Sequence, residues 1–88
     1  MSKVSIDGFV RGQATDEKIS QNVAALFSGD LGKEVLRYLR SITIEAVSGA
    51  NIGDAELRHL EGQRYLVGLI ERRIKHAEKV KTNEWSNR

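Results

Sequence analysis

The stretch from Asp54 to Lys81, "DAELRHLEGQRYLVGLIERRIKHAEKVK", limits the fold more than any other part of the chain. Leu57, Leu60, Val67, Ile70, Ile74, Ala77 and Val80 recur at helical spacing, with Leu66 and Leu69 widening the stripe. Asp54 is placed to cap the start of this helix. Arg64 is the position that breaks the stripe, two residues after Gly62. An interior helical glycine costs about 1 kcal/mol relative to alanine, so Gly62, and again Gly68, calls for a reason. One reading is close helix packing over a missing side chain. The sharper one is a contact site, in which a backbone approaches Gly62 and the Arg64 guanidinium makes paired bonds to a carboxylate or to carbonyl oxygens. Glu34 and Glu45 are the candidate carboxylates within the chain.

Two shorter helices precede it. Thr15 as N-cap, Asp16 and Glu17 in the first turn, and the stripe Ile19, Val23, Leu26, Phe27 predict a first helix ended by Ser28 and Gly29. Asp30 then caps a second, with Leu31, Val35, Leu36, Leu39, Ile42 and Ala46 inward and Lys33, Glu34, Arg37 and Arg40 outward. The β-branched run "SITIEAV" competes as a strand, but no turn interrupts the helical stripe. A Gly-rich loop, "SGANIG", leads to the third helix. Residues 1–14 read as an extended arm that orders on docking, anchored by Val4, Ile6, Phe9 and Val10. Residues 15–81 form the helical domain, and 82–88 lose periodicity and fray, apart from what Trp85 anchors. The expected architecture is all-α: a small three-helix domain with a long C-terminal helix, an antiparallel pair of helices two and three, and an extended N-terminal arm.

At 88 residues, with 40% hydrophobic and 30% charged side chains, the chain suits one small folded domain with a modest core. It has no cysteine, which excludes disulfides, thiolate metal sites and a cysteine nucleophile. "MSKVSIDGFVRG" lacks the apolar run of a signal peptide, and no later run approaches a membrane span, so synthesis in the cytoplasm is expected.

The segment of residues 26–74 resembles the Bbp19-like domain of tailed bacteriophages. Leu26 and Phe27 match its apolar-aromatic start, Gly32, Val35, Leu36 and Leu39 its first helix motif, and Glu61, Gly62 and Arg64 its Glu-Gly-x-Arg signature. Lys33 stands where an arginine is expected, and "SITIEA" replaces a more polar stretch. The resemblance implies a small structural or assembly protein of phage morphogenesis, and not an enzyme.

Arg72, Arg73, Lys75, Lys79 and Lys81 form a basic cluster opposed by Glu71 and Glu78. Such a run reads either as a solvated face complementing the helix dipole or as a phosphate-binding face. A helix-turn-helix is disfavoured because the connection from Ser48 to Gly53 exceeds that motif's turn. His59 and His76 have no second ligand at metal spacing, and "SGDLGKEV" lacks the phosphate-loop pattern. Neither a metal nor a cofactor is expected.

What the resemblance implies, with the uncovered end of the third helix, is a non-enzymatic virion or assembly protein, made in the host cytoplasm. It would dock on a larger phage protein (portal, head-to-tail connector or internal core) and on copies of itself. Phe9 and Val10 of the arm, Gly62 and Arg64, and Ile74 and Ala77 at an uncovered end of the third helix are the expected docking residues. The alternative is a small DNA-binding packaging or regulatory protein using the basic cluster.

Overall fold

A computed structural model describes residues 2–86, and the side chains of 3–81. Strands β1 (Ser2–Val4) and β2 (Val10–Gly12) precede helices α1 (Gln13–Leu26), α2 (Asp30–Ser41) and α3 (Asp54–Ser86). The fold is mainly helical, and the expected extended arm is instead an antiparallel hairpin pairing Ser2 with Gly12, Lys3 with Arg11 and Val4 with Val10. The hairpin closes locally. Gly8 adopts φ +86°, a conformation that side chains disfavour, while Gly8 N donates to Ser5 O at 2.9 Å and Ser5 N to Phe9 O at 2.7 Å. Asp7 Oδ1 accepts from Phe9 N at 3.0 Å, completing the turn.

Each helix begins beside a glycine rather than at the expected side-chain cap. Gly12 and Gly29 occupy the N-caps of α1 and α2, and Leu57 N donates to Gly53 O at the start of α3. Asp16, Asp30 and Asp54 sit inside the first turns, where the helix dipole favours a negative charge. Gly32 allows α2 to turn tightly after α1. A β-carbon there would lie 2.7 Å from Phe27 Cα and closer still to Leu26 O.

"SITIEAV" forms neither the expected helical continuation nor a strand. α2 stops at Ser41, and a turn follows. Hydroxyls bond carbonyls of the last turn: Ser41 Oγ donates to Tyr38 O, which also accepts from Ile42 N, and Thr43 Oγ1 donates to Leu39 O, both hydroxyl bonds at 2.6 Å.

Paired contacts give the helix directions. Asp16 meets Arg73 and Ser20 meets His76, so α1 runs parallel to the C-terminal half of α3. Arg40 meets Glu71 and Thr43 meets Arg64, so α2 runs antiparallel to α3. The long helix does outrun its partners, but at the other end from that expected. Residues 54–63 project with exposed or half-buried side chains, whereas Ala77 and Val80, at 5% and 6% exposure, join Val67 in the core and Ile74 is half-buried. The expected uncovered stripe at Ile74, Ala77 and Val80 is thus covered, because α1 returns along it. The molecule measures 55 × 32 × 17 Å. Residues 82–88, with Trp85, lie outside the described side chains, although α3 continues to Ser86.

Candidate docking surfaces and their ionic frame

A polar cluster occupies the centre of the molecule. Ser20, Thr43 and Arg73 are as buried as the three core aliphatics, and every buried side-chain N or O among the described residues has a partner. Arg73 Nη1 donates to Asp16 Oδ1 at 2.6 Å, to Ser20 Oγ at 3.0 Å and to Asp16 O at 3.1 Å. Its Nη2 donates to Ser5 Oγ at 3.0 Å and Asp7 Oδ2 at 3.1 Å. One guanidinium thereby joins the hairpin, α1 and α3. Arg11 donates twice to Asp7 Oδ2, at 2.7 and 3.1 Å, and Ser5 Oγ donates to Asp16 Oδ1. The Asp7 carboxyl is held far below the usual range, first by Arg11, then by Phe9 N, with Arg73 adding to both. Asp16 is lowered by the Ser5 hydroxyl and then by Arg73.

This burial corrects the phosphate-contact reading of Arg73, whose side chain is 4% exposed. Arg72, Lys75, Lys79 and Lys81 are exposed as expected. Arg72 lies over the Tyr65 ring at 5.4 Å. Arg58, Tyr65, Arg72 and Lys79, each seven residues from the next, fall on one exposed ridge of α3.

Arg64 answers the sequence question. Its Nε donates to Thr43 O at 2.9 Å and its Nη2 to Ala46 O at 2.6 Å, while Nη1 donates to Glu61 Oε1 at 2.7 Å. The guanidinium clamps carbonyls beyond the end of α2, a role for which Glu34 and Glu45 were the candidate partners; Glu45 pairs with Arg40 instead. Gly62 makes no close approach: a β-carbon there meets nothing within 4 Å, as at Gly68.

The residues expected to dock therefore separate. Phe9 and Val10 are 66% and 68% exposed, beside Val4 at 67%. Arg64 and Ala77 belong to the interior frame, and Ile74 lines a groove with Ala24, Ala25 and Phe27. The sequence reading placed Leu31, Val35 and Ile42 inward, yet they and Tyr38 stand exposed along α2. None of the described residues forms a cluster fit for a metal, and no helix among them is long and apolar enough to cross a membrane.

These features define a small helical protein with an ionic interior and apolar side chains left at its surface. Residues 23–82 match the model of the Bbp19-like phage protein family, and the chain belongs to that family. A comparison with curated proteins finds no match, and one with solved structures finds none either. The Arg64 clamp and its carbonyls lie within the matched segment, as does Gly32, whereas every partner of Arg73 named above precedes it.

Proposed function

We propose that this chain is a non-enzymatic virion or assembly protein that docks on a larger phage particle protein, a portal, connector or internal core, through its hairpin. The exposed trio Val4, Phe9 and Val10 carries this reading. Arg73 and Arg11 hold the hairpin through Asp7, so its apolar side chains are presented on a fixed support. Membership of a phage protein family supports the setting. The test is quantitative mass spectrometry of purified particles. Fixed stoichiometry for the natural chain, lost on Phe9→Glu with Val10→Lys while the variant stays folded, is the expected result. Absence of the natural chain from particles overturns it.

A second reading rests on the α3 ridge of Arg58, Arg72 and Lys79, with exposed Lys75 one turn from Arg72 and the Tyr65 ring beneath Arg72. A basic ridge of this kind suits non-specific contact with packaged DNA. DNA affinity that falls steeply with salt, and disappears when Arg72, Lys75 and Lys79 are neutralised, would favour this reading.

A further inference from the structure

We propose that α2 of one copy of this chain docks antiparallel on the N-terminal half of α3 of a second copy, a head-to-tail contact between two different faces. Leu31, Val35, Tyr38 and Ile42 are 76%, 45%, 60% and 49% exposed, and α2 buries no residue. At about 100° per residue they form one stripe. One edge of the stripe is closed by the half-buried Leu36 and Leu39, which turn toward the rest of the molecule. The open edge is acidic. Exposed Glu34 and Asp30 stand about 70° and about 110° from the centre of the stripe, whereas Arg37 is farther round, at about 130°.

α3 carries a face of the opposite character. Tyr65 and Leu66 are 52% and 60% exposed, and they share one side of the helix with Gly62 and the half-buried Leu69. Exposed Arg58 and Arg72 stand about 30° and about 70° from the centre of that face, both on the same edge. Asp54 lies a full turn before Arg58, and Glu61 is bonded to Arg64. Among the described residues, Asp30, Glu34, Arg58 and Arg72 enter no ion pair. The two faces do not meet within one chain. Arg64, which holds the turn after α2, is rotated about 150° from the centre of this face, so a chain's own α2 lies on the other side of α3.

Antiparallel packing brings the acidic edge of α2 to the basic edge of α3, whereas parallel packing puts the two edges on opposite sides of the seam. In one register the stripes also match layer by layer. Leu31 meets Leu69, Val35 meets Leu66, and the Tyr38 ring covers Gly62, where a β-carbon finds nothing within 4 Å in the single chain. Asp30 and Glu34 then come alongside Arg72. Arg58 comes beside the last turn of α2, where the helix dipole favours a cation. A second copy supplies a basic edge and a gap for the Tyr38 ring in the same register, and this selects it as the occupant. Because the two faces differ, each bound copy leaves one of each open, and assembly continues to a ring or a chain instead of stopping at a pair.

This proposal does not depend on the hairpin docking surface and is tested on the full chain alone, free of nucleic acid. Light scattering and sedimentation up to about 100 µM should show a mass that rises with concentration beyond twice the 9.8 kDa of one chain. Tyr38→Glu, Gly62→Leu and Arg72→Glu should each weaken association at least about tenfold. Circular dichroism matching the natural chain confirms folding. Mixing Tyr38→Glu with Gly62→Leu should give a pair of twice the chain mass and nothing larger, since the first variant keeps its α3 face and the second its α2 face. A natural chain that is monomeric at this concentration overturns the proposal. So does a natural pair that grows no further, a mixture that stays monomeric, or association indifferent to the three substitutions. Capture of either face by another phage protein, with no self-association, assigns that face to the other protein and also overturns it.

Discussion

Arg73 Nη1 lies 2.6 Å from Asp16 Oδ1, a charge pair spanning α3 and α1 with side chains only 4% and 14% exposed. Removing the cation leaves Asp16, Ser20 and Asp7 facing one another without their shared donor. Arg73→Ala should cost about 3 kcal/mol, the scale for stripping one partner from a buried pair, and so a large part of a small domain's stability. Arg72→Ala, one residue earlier but exposed, should change stability by no more than about 0.5 kcal/mol. Urea denaturation of the two variants checks the contrast.

The same cluster sets the response to acid. Asp7 and Asp16 both have carboxyl pKa values below the ordinary 3.8 when folded, through Arg11 and Ser5 respectively and through Arg73. Between the folded and unfolded values the unfolded chain binds more protons, so stability rises with pH there. Their contribution is complete above about pH 5 and is lost as pH falls through the depressed folded values. The melting temperature should drop as pH is lowered toward 3, and the drop should shrink in Asp7→Asn, which has no carboxylate to protonate. An unchanged acid slope in that variant would show that Asp7 contributes nothing.

Helix content and order were legible because the stripes of α1 and α3 are long and regular. The hairpin was not: strands of three residues are too short for a two-residue alternation to show. Its signal was the Asp7-Gly8 pair between apolar residues, which favours a tight turn. The buried arginine also had a signal. Arg73 stands three residues after Ile70, four before Ala77 and seven before Val80, on the core side of α3, while Arg72 is rotated away. Grouping both as one basic cluster ignored that rotation. For α2, the apolar side chains span more of the helix than α1 and α3 can cover, and periodicity alone does not tell the covered part from the open one.

The glycines give opposed expectations. Gly32→Ala forces a β-carbon against Phe27 Cα and Leu26 O, both backbone atoms that cannot swing aside, so α1 and α2 must separate. The expected loss is at least about 1 kcal/mol. Gly62→Ala and Gly68→Ala meet open space inside a helix and should each raise stability by about 0.5–1 kcal/mol. Thermal unfolding of the three variants decides, and a stabilised Gly32→Ala would contradict the close approach seen here.

Arg64 offers the most direct test of the family signature. Its two bonds to Thr43 O and Ala46 O hold the turn after α2 against α3, and its bond to Glu61 fixes the guanidinium from the α3 side. A charged donor to a carbonyl is worth about 1.5–3 kcal/mol when shielded, less at a side chain still 26% exposed. Arg64→Ala should therefore cost about 2 kcal/mol, whereas Glu61→Gln, at a carboxylate 59% exposed, should cost well under 1 kcal/mol. Hydrogen exchange separates a local from a global effect. The amides of Thr43, Glu45 and Ala46, which donate to Arg40 O and Thr43 O, should exchange faster in Arg64→Ala by more than those in the middle of α1. Equal acceleration throughout would mean that the clamp supports the whole fold rather than this turn.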